Sequence, residues 1–174
     1  MDIRAEIIKE HSRSQAIKIA EYIGGDRAKF ENLLTIFLND EYRVVQRSAW
    51  VLVFCVKKYP FLIRPHLEAL IKNLKKPKIH NAVKRNTVRV LEDVDIPEDL
   101  LGITAEICFD FLMDIKEPIA VRVFSMTILY NICVKEPELA HELKAIIEEH
   151  LPHGSAGFKS RGKKVLKGLE KLIG

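Results

Sequence analysis

The sequence predicts an all-α fold, an α-solenoid (superhelix) of about five stacked antiparallel helix pairs with a repeat of about 38 residues. Three observations carry this. Strand signals are nearly absent: no strict apolar–polar alternation lasts long, and no Asn-Gly or Asp-Gly pair joins two β-rich runs. Apolar residues fall instead at helical spacing, cut into segments by Gly, Pro and capping residues. Two independent markers also share a period: Arg47, Arg85, Arg122 and Arg161 recur at intervals of 38, 37 and 39, and Pro60, Pro97 and Pro137 at 37 and 40. One period with two helical segments per unit describes repeats that bury their apolar faces only against each other.

The elements follow in order. A short amphipathic helix opens the chain. Ser12-Arg13-Ser14-Gln15 has the form of a capping box, and its helix buries Ala16, Ile19, Ala20 and Ile23 before Gly24-Gly25 stops it. Asp26 caps the next helix, with Phe30, Leu33, Leu34 and Phe37 on one face, and Asp40 is expected to cap a third, running to about Lys58. A helix near 62–75 carries Leu67, Leu70, Ile71 and Leu74, and one near 78–94 carries Val83, Thr87, Val90, Leu91 and Val94. Pro97, Pro118 and Pro137 each start a helix, and a last one spans about Gly157 to Leu172. Links of a few residues make consecutive helices antiparallel neighbours.

A chain of 174 residues suits a single domain, 1–174, long enough to bury a core without staples. A content of 48% hydrophobic and 30% charged residues is far from disordered composition, and a formal charge of +4 permits an acidic partner without demanding one. Cys55, Cys108 and Cys133 lie far apart in apolar runs, which points to reduced thiols. The stretch MDIRAEIIKEH is too charged for a secretion signal, and runs such as AWVLVFCV are too short to span a bilayer. A cytoplasmic protein without membrane contact is expected.

The stretches EYRVVQRSAWVL, NAVKRNTVRVL, IAVRVFSMTIL and GFKSRGKKVLKGL resemble one another at the start of every second helix. EPIAVRVFSMTIL and EYRVVQRSAWVL are similar to the HEAT-repeat pattern, in which an acidic loop precedes Val-Arg and then small and large apolar residues. The resemblance covers nearly the whole chain, as about four full repeats and a degenerate first one. The chain is also similar to small bacterial HEAT-repeat proteins of unknown function. Some of those bear the name adenylosuccinate lyase, but the chain is far shorter than that enzyme and lacks its Gly-Ser-Ser-x-Met-Pro-type loop. The resemblance implies the fold and leaves function to the residues.

It also implies that the second helix of each pair lines a concave face. Those helices concentrate cations, whereas the first helices of the later repeats are acidic, with Glu98, Asp99, Glu106 and Asp110 in one and Glu138, Glu142, Glu148 and Glu149 in the next. A one-sided basic stripe concentrates an anionic partner. The candidate concave binding face comprises Arg43, Arg47, Trp50, Lys78, Asn81, Lys84, Arg85, Arg89, Lys159, Arg161 and Lys163. Arg47, Arg85 and Arg122 are alternatively a structural ladder whose guanidiniums bond acids or carbonyls of the adjacent repeat. The C-terminal lysines equally suit the polar outer face a terminal repeat needs. Trp50 could stack on Arg47 and grip a partner, although its apolar neighbours favour a core position. Arg89 has Asp93 one turn away as a local partner.

Catalytic signals are thin. His150 and His153 in HLPH are expected to be solvated loop residues rather than metal ligands, and HGSAG is no nucleophile elbow. No phosphate-cradling loop or Ser-His-Asp set is present, so no catalytic residue, metal or cofactor is assigned. The favoured function is a non-enzymatic binding or scaffold module that recognises an acidic protein or peptide through its basic concave face. The alternative is a nucleic-acid-binding protein similar to the HEAT-like alkylpurine-DNA glycosylases, for which concave carboxylates are scarce.

Overall fold

Ten α-helices and four short 3-10 turns, with no strand, make up the computed structural model, which describes residues 1–174. The chain clusters into two compact units, Met1–Val94 and Asp95–Gly174. Each has its own apolar core.

The first unit holds α1 (Ile3–Lys9), α2 (Arg13–Ile23), α3 (Arg27–Asn39), α4 (Tyr42–Lys58), α5 (Leu67–Asn73) and α6 (Asn81–Leu91). Ser12 Oγ accepts from the Gln15 N–H at 3.1 Å and caps α2 as expected. The Gln15 side chain does not close the box; its Nε2 donates to the Glu6 carbonyl and carboxylate at 2.9 and 2.8 Å, tying α1 to α2. Gly24, at φ +52, turns the chain out of α2, a conformation free of Cβ strain only for glycine. Asp26 caps α3 through the Lys29 N–H at 3.1 Å.

Asp40 departs from expectation. It ends α3, and α4 begins after Glu41 without a side-chain cap. The Asp40 carboxylate instead accepts both arms of the Arg4 guanidinium, at 2.6 and 2.9 Å, and this pairing holds it below the usual carboxylate range. A bidentate partner 36 residues away outcompetes local capping.

The expected helix over 62–75 is shorter. Residues Pro60–Leu62 and Arg64–His66 form 3-10 turns, and α5 starts only at Leu67, because Pro65 would remove an interior helical bond. The helix expected over 78–94 is likewise trimmed to Asn81–Leu91. His80 caps it, its ring Nδ1 accepting from the Ala82 N–H at 3.1 Å. Lys78 lies outside the helix at φ +63. The core of this unit joins Ile19 and Ile23 of α2, Phe30, Leu33 and Phe37 of α3, and Val51 and Leu52 of α4.

The second unit holds α7 (Glu98–Met113), α8 (Ile119–Lys135), α9 (Ala140–His150) and α10 (Ala156–Ile173). Pro97 and Pro118 immediately precede α7 and α8, and Glu98 and Asp99 sit in the first turn of α7, where the helix dipole favours acids. Pro137 opens a 3-10 turn, Pro137–Leu139, ahead of α9. Ser155 caps α10 through the Phe158 N–H at 3.2 Å. Its core is built from Cys108 and Leu112 of α7, Val121, Ile128 and Leu129 of α8, Leu143 and Ile147 of α9, and Phe158 and Leu169 of α10.

The repeat is marked inside α4, α6, α8 and α10, which start at residues 42, 81, 119 and 156. The third residue of each is buried and apolar: Val44, Val83, Val121 and Phe158. The seventh is buried and small: Ser48, Thr87, Ser125 and Gly162. Counted this way, Arg47 and Arg161 share one position, Arg85 stands one residue earlier and Arg122 two earlier. The recurring arginines therefore follow the repeat length without marking a single site.

Thr87, 2% exposed, has a hydroxyl with no hydrogen-bond partner. A buried orphan hydroxyl is a net cost. Thr87→Val should raise stability by about 1 kcal/mol. The measurement is a higher urea midpoint at unchanged slope; a lower midpoint would show that the hydroxyl is satisfied.

Candidate functional site

Helices α2, α4 and α6 pack side by side in the first unit. On α4, Trp50, Val53, Phe54 and Lys57 fall at i, i+3, i+4 and i+7 and share one face. None of the four is fully buried. Arg13 reaches this face from α2 and Arg89 from α6, and the six side chains line a groove of about 260 Å³. The Arg13 guanidinium carbon stands 5.9 Å from the Phe54 ring centroid, within cation–π range. Phe54 and Lys57 also border a neighbouring depression of about 290 Å³, lined by Ile17, Ala20, Glu21, Lys58 and Tyr59, so the apolar floor continues along α2.

Cations outnumber acids here. Lys57 Nζ meets Asp93 Oδ2 at 3.3 Å with both groups more than half exposed. Asp93 thus answers Lys57 rather than Arg89, which is half-buried and makes no ion pair or hydrogen bond. Arg13 has only its aromatic contact. Two guanidiniums without carboxylates flank an aromatic floor.

Trp50 is half-buried at the groove's edge, not enclosed in the core. His11 covers it, with ring centroids 5.0 Å apart and planes at 32°. Arg47 does not stack on it. Its Nη1 donates to the Ile8 carbonyl at 2.7 Å and more weakly to Ile7 at 3.4 Å, closing the unsatisfied C-terminal end of α1. Of the expected face, the structure brings Trp50 and Arg89 into this groove, with Arg47 in a narrow adjoining cleft beside Trp50 and His11. Arg43 is exposed in the first turn of α4, and Asn81 in that of α6. Lys84 and Arg85 are half-buried on α6; Lys84 is engaged, and Arg85 makes no hydrogen bond or ion pair. Lys78 stands in the turn before α6.

In the second unit, Lys159, Arg161 and Lys163 lie on α10, where Arg161 donates to Thr127 Oγ1. Arg122, only 8% exposed, is interior to that unit. Its Nε donates to the Leu112 carbonyl at 2.9 Å, its Nη2 lies 3.1 Å from His150 Nδ1, and its guanidinium carbon is 4.6 Å from the Phe158 ring centroid. Desolvation by burial pulls its pKa below the usual value for arginine. His150 is therefore no solvated loop residue: it ends α9, half-buried, and its Nδ1 must accept from the guanidinium.

Sequence reasoning omitted Arg13, Lys57 and His11 from the candidate face. Arg13 was within reach, since α2 is the second helix of the degenerate first pair; Lys57 follows from the i, i+3, i+4, i+7 stripe through Trp50. His11 lies in the α1–α2 link, and no local pattern aims it at Trp50.

No three His, Cys, Asp or Glu side chains converge as a metal site. Burial pushes the Cys55 and Cys108 thiols up to about 12 and Cys133 up to about 11, so all three remain protonated and unreactive at neutral pH. No helix is long and apolar enough to cross a membrane. Nothing among the curated proteins or the solved structures matches the chain. The HEAT repeat domain family matches residues 3–169, a span that holds α1 to α9, most of α10 and the repeated buried positions, and the chain belongs to that family.

Proposed function

We propose that the protein is a non-enzymatic binding module whose groove on α2, α4 and α6 holds an acidic peptide segment of a partner protein, in a reducing, cytoplasmic setting. The observation that carries this is the pairing of an aromatic floor, Trp50 and Phe54, with Arg13 and Arg89, neither of which has a carboxylate of its own. Guanidiniums present a planar fork that matches a carboxylate, and a half-exposed tryptophan supplies apolar area at little entropic cost. Such a groove favours a segment that alternates acids with a leucine or phenylalanine anchor. HEAT repeats commonly serve as protein-interaction scaffolds, which supports the same reading.

The test is a fluorescein-labelled peptide of alternating acidic pairs and phenylalanines, titrated with the full chain and followed by anisotropy. Joint reversal of Arg13 and Arg89 to glutamate should weaken binding at least about tenfold, mainly through faster dissociation. Trp50→Ala should weaken it to a similar extent. Equal affinity of the reversed and native chains, with folding unchanged by circular dichroism, would remove the groove from consideration.

A further inference from the structure

We infer that the second unit carries a separate surface, on α8 and α10, that binds the phosphate backbone of a nucleic-acid strand. Helix α10 is 18 residues long and holds Lys159, Arg161, Lys163, Lys164, Lys167 and Lys171 against a single acid, Glu170. Lys159, Lys163, Lys167 and Lys171 recur every fourth residue, about 6 Å apart along the axis. None of these lysines makes an ion pair. Like charges four apart on a helix repel, and the early members stand near the positive end of the helix dipole, with no acid in the first turn. A cap that needed only a polar outer face would be more stable with glutamates there. The placement has a physical reason if a polyanion lies along it.

Beside this row, Thr127, Tyr130 and Asn131 of α8 face Arg161 and Lys164 of α10 across a groove of about 280 Å³. Gly168 keeps the groove's floor open to the tyrosine: a Cβ there would stand 2.6–2.8 Å from the Tyr130 ring and hydroxyl. The groove thus offers one aromatic platform and several hydrogen-bonding groups next to a line of cations, the combination that holds a single strand.

The chemistry favours phosphate over the two other anionic partners. An exposed lysine–carboxylate pair contributes almost nothing, and Lys159, Lys163, Lys167 and Lys171 lie outside the lining of the groove, so a carboxylate peptide along them gains no apolar anchor. Neutralising the phosphates of a nucleic acid releases condensed counterions, so bare lysines suffice. Nor can α10 lie in a lipid interface, because Phe158, Val165 and Leu169, its apolar side, are buried within the unit.

The probe is a fluorescein-labelled oligothymidine titrated with the full chain across a salt series. Binding is expected at about 25 mM salt, with log K falling linearly in log salt. The triple variant Lys163→Glu, Lys164→Glu, Lys167→Glu should lose at least about thirtyfold in affinity, and its salt slope should be shallower by about 2, at roughly 0.7 per phosphate. The corresponding glutamine variant, which disturbs folding less, should lie between. Reversal of Arg13 and Arg89 should leave oligothymidine binding unchanged, which separates this surface from the peptide groove. The inference is overturned by no binding at low salt, by affinity indifferent to the lysines, or by tighter binding of polyglutamate or phosphatidylserine vesicles than of oligothymidine.

Discussion

Arg122→Ala is expected to cost the second unit about 3 kcal/mol, the sum of charge-assisted hydrogen bonds lost and a cavity opened. Arg122 is 8% exposed and no carboxylate bonds its guanidinium. Its charge is held by the Leu112 carbonyl at 2.9 Å, the His150 ring nitrogen at 3.1 Å and the face of Phe158 at 4.6 Å. Those contacts join α7, α8, α9 and α10, so one side chain ties every helix of the unit together. Truncation leaves the carbonyl at the end of α7 without its donor and the Phe158 ring without its cation. Arg122→Met, which keeps the volume, should recover part of the loss. Arg89→Ala, in a half-exposed groove without a bond to break, should change stability by less than about 0.5 kcal/mol. Urea melts of the three variants, with amide exchange along α7 and α8 to place the effect in the second unit, give the comparison. A larger loss for Arg89→Ala would overturn the burial of Arg122.

Ser125→Leu should destabilise by about 3 kcal/mol or more, through overpacking. Ser125 is fully buried, its hydroxyl has no hydrogen-bond partner, and it occupies the position held elsewhere by Ser48, Thr87 and Gly162. At Gly162 an added Cβ would already stand 2.8 Å from Leu151 Cδ1 and 3.2 Å from Ile147 Cγ2. A small residue here lets the neighbouring helix approach, and three extra carbons have no space to enter. Ser125→Ala should be almost neutral. The contrast between alanine and leucine, read from denaturation midpoints, isolates volume from polarity. A well-folded leucine variant of native stability would show that this position does not set the helix spacing.

Local chemistry made much of the fold legible and long-range chemistry obscured the rest. Ser12, Asp26, Pro97 and Pro118 act on backbone within a turn, so their helix starts could be read directly. Asp40 looked like a cap because it stands two residues before a helical run, yet Arg4 takes its carboxylate. Asp93 looked like the partner of Arg89 and belongs to Lys57 of another helix. Trp50 sits in the apolar string AWVLVFCV, but that string supplies both the buried face of α4 and the groove floor, and hydropathy alone cannot separate them. The arginine spacing found the repeat because consecutive second helices begin 39, 38 and 37 residues apart. It misplaced the register because the arginines stand at the sixth, fifth, fourth and sixth positions of their helices, a drift invisible until buried positions are aligned.

Trp50 is the sole tryptophan, and it stands half-covered by His11 in the first unit. Excited at the red edge of aromatic absorption, the molecule therefore emits from one end of its sequence only, and residues 95–174 stay dark. An unlabelled chain thus carries an intrinsic lamp on the α2–α4–α6 groove, while backbone dichroism records the helices of both units at once.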